Sequence, residues 1–106
     1  MNATLIAGLR KQCGGQRDGA LLRFSLGNAL LGEGDAIAAT EELHRAVTFD
    51  PTYSAAWKLL GKAYLQADQL QAAAEAWRSG IAAAAKRGDK QAEKEMTVFL
   101  RRLEKP

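Results

Sequence analysis

The side chains able to act as acids, bases or nucleophiles are few in this sequence and lie far apart. His44 is the only histidine, and it follows Glu41 and Glu42 and precedes Arg45. These neighbours are typical of a solvated helix surface and not of a general base or a metal ligand. The sequence also lacks the HExxH, GxSxG, GxGxxG and phosphate-binding glycine motifs. We therefore predict no catalytic residue, no metal site and no cofactor, and we expect that the protein is not an enzyme.

Cys13 is the only cysteine, and it lies among the basic residues Arg10, Lys11 and Arg17. Such neighbours can lower the pKa of a thiol, so an enzyme that uses Cys13 stays an alternative, which thiol reactivity well below about pH 8.5 would reveal. The structural interpretation of Cys13 is the favoured one. A single cysteine also excludes an internal disulfide and a cysteine-rich metal site, which fits a reducing compartment.

Charge and hydropathy are those of a water-soluble protein. The apolar stretches fall well short of the roughly 20 residues that cross a bilayer. Arg10 and Lys11 follow the apolar segment 5–9, whereas a signal peptide has its basic residues first. We therefore expect a cytoplasmic protein that does not enter a membrane. The net charge of +3 is mild and favours acidic partners by long-range attraction, but it is weaker than in dedicated nucleic-acid-binding proteins.

The elements that must position any site are two copies of one unit. A shift of 34 residues aligns residues 20–53 with residues 54–87 without a gap. A period of this length indicates stacked helical units, none of which can bury its apolar face without a neighbour. Identities in this register include Leu26/Leu60, Gly27/Gly61, Ala29/Ala63, Leu31/Leu65, Ala39/Ala73 and Glu41/Glu75.

Within each unit the apolar residues recur with helical spacing and predict two helices. The first helix of each unit, here called the A helix, carries Leu22, Leu26 and Leu30 in one unit and Ala56, Leu60 and Tyr64 in the other. The second, the B helix, carries Ala39, Leu43, Ala46 and Val47, or Ala73, Trp77, Gly80 and Ile81. Small residues predict close crossings between these helices, namely Gly27, Gly61, Ala39, Ala73, Ala46 and Gly80.

Helix ends are also readable in the sequence. Asp35 is a suitable N-cap after the turn 32–34, and Pro51 stops the first B helix after Asp50. The second unit has a weaker turn signal at 67–69 and no proline, so its B helix is expected to continue through 82–86. Gly88 is a suitable C-cap for that helix.

The flanking segments complete the stack as a single domain over residues 1–106. Residues 2–13 predict an N-terminal capping helix with an apolar stripe of Leu5, Ile6 and Leu9. Residues 89–105 predict a C-terminal solvating helix that begins at the N-cap Asp89. Its expected apolar face is formed by Ala92, Met96, Phe99, Leu100 and Leu103. About six helices result.

The two units resemble the tetratricopeptide repeat family, whose pattern has Trp, Leu-Gly, Tyr, Ala, an aromatic residue, Ala and Pro in order. The second unit matches it with Trp57, Leu60, Gly61, Tyr64, Ala73, Trp77 and Gly80. The first unit has Arg23 in place of the tryptophan, which we expect to loosen one contact. The resemblance implies an all-α fold, a right-handed antiparallel helix-turn-helix solenoid.

The resemblance also implies a partner-binding groove lined by the A helices. Its expected residues are Leu21, Phe24, Asn28, Leu31, Ala55, Lys58, Lys62, Leu65 and Gln66. An apolar strip beside two lysines suits a protein or peptide with an acidic group or a free C-terminus. The alternative is that Lys58 and Lys62 only solubilise the helix. Because Phe24, Ser25 and Leu59 replace polar members of the family's chaperone-binding clamp, we do not predict chaperone-tail binding.

The expected function is thus a protein–protein interaction or scaffold module, with self-association into a homo-oligomer as one arrangement. The alternative is a nucleic-acid-associated helical protein that uses the basic C-terminal helix. Interleaved Glu93, Glu95 and Glu104 argue against this alternative. A steep loss of affinity with salt would support it, since phosphate contacts release counterions.

Overall fold

A computed structural model describes residues 3–105, which form six helices and no strand. The helices are α1 (Ala3–Gln12), α2 (Ala20–Gly32), α3 (Ala36–Phe49), α4 (Ser54–Gln66), α5 (Leu70–Arg87) and α6 (Lys90–Glu104). Each helix from α2 onward packs against the next, and α4 also contacts both α2 and α6. The predicted all-α helical repeat fold is confirmed. Residue 2, the first of the predicted capping helix, lies outside the described residues.

The helix ends follow the local signals. The Asp35 and Asp89 carboxylates accept hydrogen bonds of 3.1 Å from the backbone N–H groups of Ala38 and Ala92, so both predicted N-caps are confirmed. Gly88 ends α5 in the left-handed region, with φ of 75°. In the turn of the second repeat, at residues 67–69, Asp68 has a φ of 60°. Residues other than glycine rarely adopt this backbone conformation.

The core is a continuous layer to which every helix from α2 to α6 contributes. The largest fully buried side chains come one from each of these helices: Leu26, Leu43, Leu60, Trp77 and Met96. Burying a side chain of this size stabilises a fold by about 1.5–3 kcal/mol relative to leaving it exposed. Because each of these residues lies between neighbouring helices, the stack is held together along its whole length.

Three glycines allow the helices to approach closely. A Cβ atom on Gly27 would lie 2.5 Å from Leu43 Cγ, and one on Gly61 would overlap the indole of Trp77. Gly80 is enclosed by Met96 and Trp57 in the same way. The predicted small-residue crossings are confirmed at these positions, since no larger residue fits there without displacing core side chains.

The expectation that Arg23 loosens one contact was wrong. Its guanidinium donates two hydrogen bonds of 2.8 Å to the Asp18 carboxylate and one of 2.7 Å to Glu42 Oε1. Arg45 donates to the second oxygen of Glu42 at 2.9 Å. The bond from Arg23 is the main reason why the pKa of Asp18 lies well below its usual range. Charge-assisted hydrogen bonds thus replace the missing aromatic contact.

The two terminal helices cover the stack to different extents. In α1 no residue is buried, and Leu5 remains 52% exposed, so only Ile6 and Leu9 of the predicted apolar stripe pack against the core. In α6, Ala92 and Met96 are buried in a cluster that also contains Trp77. The residues Phe99, Leu100 and Leu103 pack against this cluster. The predicted apolar face of α6 is therefore confirmed, whereas that of α1 is narrower than expected.

Candidate functional site

The predicted groove residues lie on the A helices α2 and α4, and the third helix on this side of the stack is α6. We call the surface formed by α2, α4 and α6 the A-helix face. On α2, Leu21 is 69% exposed and Asn28 is also exposed. Phe24 and Leu31 are half-buried and pack against the core. Leu21 and Asn28 are accordingly the α2 residues most accessible to a partner.

Phe24 is held in place by an aromatic neighbour. The centroids of the Phe24 and Tyr53 rings are 5.1 Å apart, with an angle of 36° between the ring planes. Tyr53 immediately precedes α4, so this contact joins the first A helix to the second. Burial of the phenol is the main cause that raises the pKa of Tyr53. Phe24 therefore serves the packing of the two repeats as well as the surface of the groove.

The two predicted lysines both point to α6. Lys58 Nζ lies 2.8 Å from Glu95 Oε1, and this bond is the main cause that lowers the pKa of Glu95. Lys62 Nζ lies 5.0 Å from the centroid of the Phe99 ring, within the range of a cation–π interaction. Lys58 thus already has a carboxylate partner, whereas the ammonium of Lys62 lies over the ring of Phe99.

A pocket of about 390 Å³ opens between α4 and α6, near the C-terminal end of each helix. Its lining combines four apolar side chains with two cationic ones: Leu65, Trp77, Phe99 and Leu103, together with Lys62 and Arg102. We call this cavity, with its six lining residues, the α4–α6 pocket. Its volume is at the lower end of the range of about 300–1,000 Å³ found for ligand-binding clefts.

The floor of the α4–α6 pocket is rigid. Trp77 is only 2% exposed, and its indole N–H donates a hydrogen bond of 3.1 Å to the carbonyl oxygen of Lys58. The Trp77 and Phe99 rings pack with centroids 5.3 Å apart. Gly61 lies directly beneath the indole and leaves the space that it occupies. The same glycine that allows the helices to cross therefore positions the floor of the pocket.

Contacts between α4 and α6 fix the width of the pocket. The hydroxyl of Ser54, the first residue of α4, donates a hydrogen bond of 2.8 Å to Asp89 Oδ2. The Lys58–Glu95 ion pair lies about one turn further along α4 and nearly two turns further along α6. Met96, the residue after Glu95 in α6, is fully buried. The position of α6 against α4 is thus determined by both apolar packing and directed hydrogen bonds.

The structure brings only part of the predicted set together. Lys62 and Leu65 line the α4–α6 pocket, and the exposed Gln66 follows them at the end of α4. Ala55 is half-buried near the start of α4, on the same helix but away from this pocket. Sequence reasoning placed Phe99 and Leu103 on the apolar face of the last helix and treated Arg102 as one of the basic residues of that helix, and it missed that these three residues form a pocket wall. The apolar face predicted for α6 was the only signal for them.

The other candidate residues lie elsewhere. His44 is exposed on the B helix α3, as predicted for a solvated surface. Cys13 is half-buried, and its S–H donates to the carbonyl oxygen of Leu9 at 3.6 Å. In residues 3–105 no cluster of histidine, cysteine and acidic side chains is suited to hold a metal ion. No helix in that part of the chain is long and apolar enough to span a membrane.

Part of the basic surface at the C-terminal end is neutralised within the chain. Arg87 lies 2.8 Å from Asp50 Oδ2, and Arg78 pairs with Glu104 of α6. Lys90, Lys94 and Arg101 remain exposed on α6. Paired arginines cannot neutralise phosphates without giving up these contacts. The nucleic-acid alternative is therefore not favoured.

Paired antiparallel helices with a repeating small-residue crossing define the chain as an α-helical repeat protein. It is 56% identical over 101 residues to the TPR repeat-containing protein PA0015 of Pseudomonas aeruginosa. The matched residues cover 95% of this chain and 96% of that protein. The solution structure of protein BPP2914 from Bordetella parapertussis matches with a TM-score of 0.79 and 44% identity over 93% of this chain and 86% of that one. No family model matches the sequence. The chain belongs to the tetratricopeptide repeat (TPR) family.

Proposed function

We propose that the protein is an interaction module that binds a segment of a partner protein along the A-helix face. The observation that carries this proposal is the open, largely apolar pocket between α4 and α6. Concave apolar sites with a few polar groups at the edge are the usual form of a binding site. Membership of the TPR family supports a protein partner, because stacked helical repeats present one extended surface.

The residues of the A-helix face divide into contact and support roles under this proposal. Leu21 and Leu65 are exposed and offer apolar contacts, and the Asn28 and Gln66 amides can hydrogen-bond the backbone of a bound segment. Lys58 supports α6 through Glu95 instead of binding the partner. Under this proposal, Lys62 is the member of the predicted lysine pair that faces the partner. Reversing both lysine charges would also break the α4–α6 ion pair and is a poor test of binding.

A matched pair of leucine substitutions tests the proposal more directly. Leu65 is 40% exposed on the A-helix face, and Leu70 is 52% exposed at the start of the B helix α5. Peptides selected against the intact protein from a random display library are titrated into the labelled protein and followed by two-dimensional NMR. We expect shifts concentrated on α2, α4 and α6. Leu65→Glu should weaken binding at least about tenfold, a loss of 1.4 kcal/mol, and Leu70→Glu should leave it unchanged.

Two outcomes would contradict the proposal. One is that selected peptides shift resonances of α3 and α5 and bind Leu65→Glu as well as the parent protein. The other is that the library gives no peptide that the A-helix face binds saturably. Both variants place a charge at an already exposed position, so circular dichroism should show equal helicity in the two.

A further inference from the structure

The α4–α6 pocket has a chemistry that narrows the class of partner. Leu65 is partly exposed at its mouth, and the half-buried Phe99 and Leu103 form the wall on α6. A cavity of about 390 Å³ with these walls accommodates a large aliphatic or aromatic side chain. Burying such a side chain is favourable because it removes apolar surface from water on both partners.

Two cationic side chains lie at the pocket, one on each of the helices that form its walls. Lys62 on α4 is exposed and has no carboxylate within ion-pair distance among residues 3–105. Arg102 on α6 is exposed as well and has no acidic partner in the same part of the chain. Their neighbours differ, since Lys58, Arg78 and Arg87 are all paired with carboxylates. Lys62 does act on the Glu95 carboxylate at longer range and helps to lower its pKa, although Lys58 is the main cause. The pocket thus combines an apolar interior with two positive charges that form no ion pair among residues 3–105.

We infer that the α4–α6 pocket binds an acidic–apolar segment of a partner protein: a large apolar side chain in the pocket, with Asp or Glu side chains on either side of it. This inference rests on the proposed function, because it names the segment that the A-helix face holds. Two cations on separate helices match two carboxylates better than the single charge of a chain end. The guanidinium of Arg102 can bind one carboxylate through two hydrogen bonds, and Lys62 acts on the other as a point charge.

Short peptides with blocked ends test the chemistry directly. The probe has a central phenylalanine with glutamates on both sides, in a glycine–serine background. One companion peptide replaces the glutamates with glutamine, a second replaces phenylalanine with alanine, and a third combines the glutamines with a free C-terminal carboxylate after the phenylalanine. Two-dimensional NMR titration is suitable because dissociation constants around 1 mM remain measurable. We expect the probe to bind about threefold to tenfold more tightly than each companion. The differences from the two companions that contain glutamine should shrink with added salt, whereas the difference from the alanine companion should not.

Adjacent arginines on α6 provide a matched control. Arg102→Met and Arg101→Met remove the same charge from exposed neighbouring positions, but only Arg102 lines the pocket. We expect Arg102→Met and Lys62→Met each to weaken the probe about threefold to tenfold. Arg101→Met should leave its affinity and the pattern of shifted residues unchanged.

Several results would overturn the inference. Equal binding of the glutamate and glutamine peptides would do so, as would equal losses in Arg101→Met and Arg102→Met. Tighter binding of the free-carboxylate peptide would assign the pocket to a chain end, and self-association abolished by Arg102→Met would assign it to a second copy of this chain. If library peptides bind the A-helix face but the probe does not, this inference fails and the proposed function stands. If neither binds there, both fail.

Discussion

The two repeats have different residues at one pair of equivalent packing positions. At the positions related by the 34-residue shift, the first repeat has Arg23 and Glu42 where the second has Trp57 and Ala76. Arg23 and Glu42 form an ion pair of 2.7 Å with side chains that are 14% and 7% exposed. In the second repeat Ala76 is buried in the core, and Trp57 packs against the same cluster. The second repeat thus has a large residue beside a small one at the positions where the first repeat has two long charged residues.

The difference shows which part of the repeat is fixed and which part is exchangeable. Gly27 and Gly61 keep their roles in both repeats, because backbone approach sets the crossing. The contact at Arg23 or Trp57 accepts either ions or an aromatic ring, provided that the two partners change together. Only the second repeat pairs its glycine with an indole, and that indole forms the floor of the α4–α6 pocket. The proposed binding pocket is therefore built on the second repeat, with α6 as its other wall.

The largest expected effect is at the glycine beneath the indole. Gly61→Leu should abolish the folded state, because its Cβ alone would overlap Trp77, whose indole is tethered to the backbone of α4. Circular dichroism and thermal unfolding measure the result. A Cβ atom on Gly8 in α1 would meet no neighbouring atom within 4 Å, so Gly8→Leu is the matched control and should remain folded. Unchanged helicity and melting temperature in Gly61→Leu would show that the crossing is not tight.

Removal of α6 should have the next largest effect. A chain lacking residues 89–106 loses Met96 and Phe99, which pack around Trp77, and exposes that side of the core. We expect it to aggregate and to lose cooperative unfolding, measured by sedimentation and denaturant titration. Removal of residues 1–13 is the comparison, because no residue of α1 (Ala3–Gln12) is buried, and that chain should stay soluble. A chain without α6 that is soluble and unfolds cooperatively would contradict the expectation that the core needs α6 more than it needs α1.

Exchanging the contact of the first repeat for that of the second tests the comparison itself. Arg23→Trp alone should lower the free energy of unfolding by about 3 kcal/mol, because Glu42 stays buried after losing one of its cationic partners. The double variant Arg23→Trp/Glu42→Ala copies the second repeat and should recover most of that loss. Denaturant unfolding of both single variants and the double variant gives the coupling energy. Additive losses would show that the two positions do not depend on each other.

Low pH should reduce the stability of the first repeat gradually and by less than the substitutions above. Because the folded-state pKa of Asp18 lies below its ordinary value of 3.8, its ion pair contributes stability that is present above that value and is lost as the pH falls toward the folded-state pKa. The free energy of unfolding should therefore decline from about pH 5 downward. The double variant Arg23→Trp/Glu42→Ala lacks Arg23 and should decline less steeply. Equal slopes would assign the acid sensitivity to other carboxylates, such as those at α6.

Helices and their caps could be predicted from the sequence because they depend on residues close together in the chain. The small-residue crossings could be predicted because the same residues recur after 34 positions, at Gly27 and Gly61. The periodicity of apolar residues predicts helices, and the N-caps Asp35 and Asp89 bond to backbone groups three residues later. The predicted continuation of the second B helix is also confirmed, since α5 has 18 residues against 14 in α3. Of the α4–α6 pocket, Lys62 and Leu65 were among the predicted groove residues.

The side chains that meet across the stack could not be assigned from the sequence. Arg23 reaches Glu42 over 19 residues, and Lys58 reaches Glu95 over 37. The additional turn of α5 displaces α6 from the strict 34-residue register, so the residues of α6 that face α4 could not be assigned by extending the repeat. Phe99 and Arg102 thereby join Lys62 and Leu65 around one pocket. The physical reason is that local periodicity specifies which face of a helix is apolar, whereas the partner of each residue depends on how far each helix extends before the chain turns back.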